Sequence, residues 1–246
     1  MIKKNSEKTK ADNFFTPGVN YKNIDIYYKY RTVKEIIPAG NGNCLDIGSR
    51  DSNLKKYVLD KGYKYIGLDI SFNNALDVIG DGCCLPFADN SFDLVVMSQV
   101  LEHVLDPKTA VIESSRILKP GGVLVGGVSF LEPFHESYYN LSHRALENIL
   151  FNANLNKITI ETGVTGVVLI VARVLGLTGS SNLTLFSWCG RIIFPVKYFL
   201  KSGYWLIRIK NTILGKDKKN FKEKARMHYE KLAITIAGHL LFSANK

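Results

Sequence analysis

Cys44-Leu45-Asp46-Ile47-Gly48 is an apolar run closed by an acid and a glycine, and Tyr65-Ile66-Gly67-Leu68-Asp69 repeats the pattern further on. Each reads as a buried strand that meets a loop at a carboxylate, and such tips line the crevice where open α/β sheets bind ligands. A carboxylate there can accept hydrogen bonds from hydroxyls or an amine without being buried unpaired. Downstream follow Gly80-Asp81-Gly82-Cys83-Cys84-Leu85-Pro86-Phe87, the strand-like Phe92-Asp93-Leu94-Val95-Val96-Met97-Ser98, and Leu101-Glu102-His103-Val104.

Working outward, the pattern predicts strands near 43–47, 64–69, 77–80, 92–97, 121–129 and 157–162. Helices are predicted over 53–61, 106–118 and 143–153. Apolar strands alternating with helices argue for a parallel sheet covered on both faces. Pro120-Gly121-Gly122 marks a turn into the fifth strand. The β-branched run at Ile234-Thr235-Ile236 makes 233–243 a candidate last strand.

The order of these blocks from Asn41 to Glu161, roughly half the chain, resembles class I S-adenosylmethionine-dependent methyltransferases. The closest likeness is to the small-molecule type with D-x-L-P-F and L-E-H-V signatures. The resemblance implies a Rossmann-like, seven-stranded, mostly parallel sheet whose last strand runs antiparallel, and S-adenosylmethionine as cofactor. By the same resemblance the cofactor is held by Asp46, Gly48, Asp69, Ile70, Asp81, Gly82, Cys83 and Ser98.

Within that set, Asp69 lies 21 positions after Gly48, near the interval at which an acid meets ribose hydroxyls in nucleotide-binding sheets. Its alternative is a cap on a following helix through Ser71 to Leu76. Asp81 corresponds to the acid at the adenine amine, with a backbone amide near Gly82 or Cys83 serving the ring, though an acid before a glycine is also an ordinary turn pair. Gly48 permits a tight turn and close approach of backbone to ligand. The family's acid-x-Gly-x-Gly-x-Gly run is broken here, because Arg50 and Ser52 stand where its later glycines fall. Arg50 either turns to solvent or the cofactor carboxylate, or obstructs the pocket.

A sulfonium already activates its methyl group, so positioning the reactants can supply up to roughly 7 to 11 kcal/mol. A base is needed only where the acceptor carries a proton to remove. His135, in Glu132-Pro133-Phe134-His135-Glu136-Ser137-Tyr138-Tyr139, is the candidate base, against the reading of a solvated loop histidine. His103 reads as a packing or hydrogen-bonding residue rather than a catalyst.

At 246 residues and 46% apolar, the chain can bury one full core. Four cysteines without a C-x-x-C pair, and no histidine at ligand spacing, favour neither a disulfide framework nor a metal site and suit a reducing cytosol. The charged N-terminus does not read as a secretory signal. Four regions are expected: a tail and capping helix at 1–40, the cofactor-binding core at 41–163, a helical insertion at 164–232 and the last core strand at 233–246. The insertion holds 13 Lys and Arg against 3 Asp and Glu, while the rest of the chain holds 19 of each. The whole net charge of +10 therefore belongs to the insertion.

That segregation argues for an anionic partner. Over Val196–Ile213, Lys197, Lys201 and Arg208 fall on one side of a helix, and Phe199, Trp205, Leu206 and Ile209 on another. An anionic membrane surface then fits better than nucleic acid, for which no binding module is present. A helical lid on the domain's own core is the competing role. The expected function is methyl transfer to a small or lipid-linked acceptor such as a glycan, quinone or lipid precursor, most readily at oxygen. The expected place is the cytoplasm, peripherally on the inner face of the membrane. The alternative is a non-catalytic relative acting as an adaptor to a membrane or partner.

Overall fold

The computed structural model describes residues 14–25, 31–71, 76–132, 136–174 and 221–246. Eight strands form one sheet: β1 (Asn20–Tyr21), β2 (Gly42–Ile47), β3 (Tyr63–Asp69), β4 (Val78–Ile79), β5 (Phe92–Ser98), β6 (Leu118–Ser129), β7 (Asn156–Thr162) and β8 (His239–Asn245). Their spatial order is β1-β7-β8-β6-β5-β2-β3-β4. Only β8 runs antiparallel, inserted between β6 and β7, and every other pairing is parallel. The expected Rossmann-like α/β sheet is therefore present, with the seven strands of the expectation extended by the two-residue β1.

Period-two alternation splits the central strands between two cores. Leu45 and Ile47 of β2 and Val95 and Met97 of β5 bury one way, while Cys44, Leu94 and Val96 bury the other. The first core is closed by α2 (Pro107–Ile117) and α3 (His143–Asn152), the second by α1 (Lys55–Asp60). Capping fixes where these helices begin. Asp106 accepts from the Thr109 amide and hydroxyl with Pro107 at the first helical position, and Ser142 accepts from the Ala145 amide. The remaining described helices are α4 (Gly166–Val174) and α5 (Phe221–Thr235).

Three expectations change. The capping helix at the N-terminus is replaced, among the described residues, by β1 and a 3₁₀ turn at Val33–Glu35. The backbone there bonds to the sheet instead of to itself: Lys22 N–H donates to Ile160 O, and Asp25 N–H to Thr162 Oγ1. Arg31 clamps the same edge through Thr162 O and Glu161. The last strand starts at His239, not at 233, because α5 carries through Ile234 and Thr235. Thr235 Oγ1 donates back to Lys231 O, and Ala233 and Ile234 are buried on the helix. Pro120-Gly121-Gly122 does not separate a turn from a strand. β6 runs through it with a register shift opposite Phe92 and Leu94, and Gly121 takes the left-handed conformation that the bulge requires.

Candidate functional site

The chain turns from β2 to β3 on one side and returns to β5 on the other, so β2 is flanked by both and the sheet has its switch point there. Register puts the tips level: Ile47 pairs with Leu68 of β3 and with Met97 of β5. Gly48, Asp69 and Ser98 accordingly sit side by side at the carboxyl ends of three adjacent strands. This placement unites the predicted residues of the first, second and fourth strands.

The loop after β2 keeps a glycine-like backbone without the glycines. Gly48, Arg50 and Ser52 have φ of 69°, 43° and 53°, all left-handed. Asp69 holds the turn in place by accepting the Arg50 N–H at 3.0 Å through Oδ2. Its Oδ1 accepts the Ser71 N–H at 3.0 Å, while residues 72–75 of the helix it was expected to cap lie outside the described residues. A carboxylate offers about four acceptor positions, which leaves capacity for two hydroxyls. Arg50 itself is exposed. Gly48 is required for a reason the sequence did not supply: a Cβ there would lie 2.6 Å from Val100 Cγ2, a protein atom. Beside Asp69, Ile70 exposes 70% of its surface, an apolar side chain against which a ring could stack.

Asp46 is only 2% exposed. Burial pushes its carboxyl up to about 7, although the Tyr65 hydroxyl donates to it at 2.8 Å. Asp46 thus braces β2 against β3 from a buried position.

Asp81 follows β4, which is tied to the tip of β3 by Gly80 N–H donating to Asp69 O. Its Oδ1 accepts the Cys83 N–H at 2.8 Å, so that amide is engaged within the turn, and Gly82 packs on Ile47. The following Leu85-Pro86-Phe87 is clamped by α2. Arg116 donates to Leu85 O and Phe87 O, and Glu113 accepts from the Leu85 amide. Sequence reasoning missed these two positioning residues, although their spacing of three on one helix face was a visible signal.

Ser98 ends β5, and Gln99 follows with a φ of 58°. In Leu101-Glu102-His103-Val104 the first two residues are fully buried, while His103 is exposed and its backbone N–H donates to Val100 O. Burial raises the Glu102 carboxyl to about 7. Around it lies a polar cluster that the sequence did not announce. Glu102 accepts the Ser129 N–H at 3.1 Å, Ser129 Oγ lies 2.9 Å from Glu132 Oε2, and His239 Nε2 lies 2.6 Å from that same oxygen. Tyr138 and Tyr139 donate their amides to Glu102 O, seating the far end of the acceptor-side segment on this turn. His135 lies outside the described residues, as does the helix expected over 196–213. Among the described residues no group of side chains is arranged to hold a metal ion.

Residues 45–126 match the family described as "Methyltransferase domain". Among curated proteins, a demethylmenaquinone methyltransferase of Renibacterium salmoninarum is 34% identical over 140 residues, covering 51% of this chain and 59% of that protein. One of Corynebacterium efficiens is 51% identical over 47 residues, 19% of this chain and 20% of its own. The chain therefore spans little more than half the length of the first of these relatives. An S-adenosylmethionine-dependent methyltransferase from Mesorhizobium loti superposes with a TM-score of 0.51 at 14% identity, covering 87% of this chain and 95% of that one. The [4+2]-cyclase SpnF superposes equally well, at 0.51 and 18% identity, over 87% of this chain and 78% of its own. Residues 45–126 thus resemble a methyltransferase domain, and the fold is that of S-adenosylmethionine-dependent methyltransferases. That a cyclase shares the fold shows that the chemistry has to be argued from the site.

Proposed function

We propose that this chain, whose domain and fold are those of class I methyltransferases, transfers a methyl group from S-adenosylmethionine to a small, quinone-type or otherwise lipid-linked acceptor, most readily at oxygen. The observation that carries the proposal is the left-handed Gly48–Ser52 turn fastened to the Asp69 carboxylate at the switch point of the sheet. The left-handed backbone at Arg50 and Ser52, where the family's later glycines would fall, speaks against a collapsed, non-catalytic pocket.

In this proposal Asp69 accepts the ribose hydroxyls, Ile70 and the Asp81–Cys83 turn receive the adenine, and Gly48 and Ser98 bring backbone against the methionine part. Asp46 supports the first turn from beneath. S-adenosylmethionine supplies, when bound, a methyl carbon already activated by its sulfonium. The chain's own residues fix the angle of approach and exclude water. The quinone-type acceptor is suggested by the curated relatives, and a base for it is sought in the 132–139 segment that contains His135.

Residues 41–163 form the cofactor-binding core of this proposal, and 164–232 the basic part that holds the enzyme to an anionic membrane surface from the cytoplasmic side. Support for the latter is the concentration of the net charge in that stretch. Calorimetric titration with S-adenosylhomocysteine tests the core claim. Binding in the micromolar range that Asp69→Ala weakens at least about a hundredfold is expected, and absence of binding by the wild-type chain at millimolar ligand would sink it.

A further inference from the structure

We infer that Glu132 is the general base that takes the proton from the methyl acceptor, and that His239 is the positioning residue that aims and steadies its carboxylate. The inference rests on the proposed methyl transfer and adds the residues that serve its acceptor.

Three strand ends meet at this point. β6 finishes at Ser129, β8 begins at His239 and pairs antiparallel with it, and Gln99 follows the tip of the adjacent β5. Glu132 is the first carboxylate to leave this junction toward the segment expected to face the acceptor. Its Oε2 lies 2.6 Å from His239 Nε2 and 2.9 Å from Ser129 Oγ. Ser129 Oγ in turn lies 3.2 Å from Gln99 Oε1, which links the cluster to the residue directly after Ser98. A serine hydroxyl has one proton, so it serves one of these oxygens at a time, and the carboxylate is the stronger acceptor.

Burial is graded in the sense that a proton carrier needs. The His239 side chain is 1% exposed, while that of Glu132 keeps 14% exposure. The inner member is fixed by packing, and the outer one reaches solvent or substrate. A histidine that orients a carboxylate through one ring nitrogen inverts the roles of a familiar catalytic pair. Among the described residues, the charged and titratable groups that face Glu132 include His239 from β8 and Glu102 from the turn after β5.

The step balances as a displacement. Glu132 takes the acceptor's hydroxyl proton while an oxygen electron pair forms the bond to the methyl carbon. The sulfur keeps the electron pair of the C–S bond that breaks, leaving neutral S-adenosylhomocysteine. The proton on Glu132 then returns to solvent.

The test uses the full chain with a reduced short-chain quinone as acceptor, read as formation of its methyl ether, the kcat and KM of that reaction, and S-adenosylhomocysteine affinity as a control for an intact fold. Glu132→Gln is expected to keep that affinity within about threefold and lose about a hundredfold or more in kcat with KM little changed. Glu132→Asp should recover part of the loss. His239→Phe should lower kcat with S-adenosylhomocysteine affinity kept, because the carboxylate loses the ring nitrogen that aims it, and His239→Gln, which can place an amide N–H near the same oxygen, should recover part of that loss. Turnover by Glu132→Gln near the wild-type rate, or loss in His135→Ala with Glu132→Gln unaffected, overturns the assignment alone. A wild-type chain that binds S-adenosylhomocysteine yet leaves the quinol unmethylated overturns the acceptor proposal and this inference with it. Loss of S-adenosylhomocysteine binding by the wild type overturns the cofactor proposal instead.

Discussion

Arg50 shows how a residue can break a motif and keep its geometry. The left-handed backbone costs a side-chain-bearing residue roughly 1–2 kcal/mol, and the Asp69 carboxylate on its amide is what holds it there. Arg50→Gly is expected to raise stability by about 0.5 to 1 kcal/mol in chemical denaturation, since glycine's greater freedom in the unfolded chain offsets part of the relief. S-adenosylhomocysteine affinity decides what the side chain does. An unchanged affinity leaves the exposed guanidinium in solvent, and a tenfold loss assigns it to the ligand's carboxylate. The substitution was legible in the sequence, but its consequence was not, because φ at residue 50 depends on a carboxylate 19 positions away.

At the scale of elements, β2 and the turn after β5 each carry a buried acid, and both carboxyls rise to about 7 because burial disfavours their charged form. An unfolded carboxyl ionises near about pH 4. Between roughly pH 4 and pH 7 the folded chain therefore holds protons that the unfolded chain has released, and these two groups make stability fall as pH rises through that window. Glu113, held below its usual range by its hydrogen bonds with Arg116, acts in the opposite sense: its contribution is present above about pH 4 and lost in acid. Asp46→Asn removes one of the two rising carboxyls while keeping an acceptor for Tyr65. Thermal or chemical melts across pH should show the variant gaining on the wild type, by on the order of 3 kcal/mol at pH 8, with the difference shrinking toward pH 4. A constant difference across that range would contradict a buried, titrating Asp46. The sequence placed both acids at strand ends. It could not tell that Asp46 turns inward onto Tyr65, or that Glu102 and not His103 is the inner member of its turn, because side-chain facing depends on what packs behind each loop.

For the whole molecule, the net charge is concentrated in 164–232 and the rest of the sequence holds equal numbers of acidic and basic residues, and no helix among the described residues is long and apolar enough to cross a membrane. Surface attachment predicts that the chain floats with vesicles rich in anionic lipid and is released as salt rises, since each Lys or Arg engaged near such a surface contributes about 1 kcal/mol that ions screen. Equal flotation with neutral vesicles would count against a charge-led attachment. By itself the sequence determined the strand and helix order of the core, the acids at the strand tips and the location of the charge. These are local properties, set by apolar periodicity, turn residues and composition, and they can be read a few residues at a time. Only the tertiary structure decided that residues 14–25 join the sheet edge, that Glu113 and Arg116 clamp the Leu85-Pro86-Phe87 loop, and that Glu132 meets His239 across the ends of two strands. Each of these joins groups far apart in sequence through hydrogen bonds that exist only once antiparallel insertion of β8 and packing of α2 have brought them within reach.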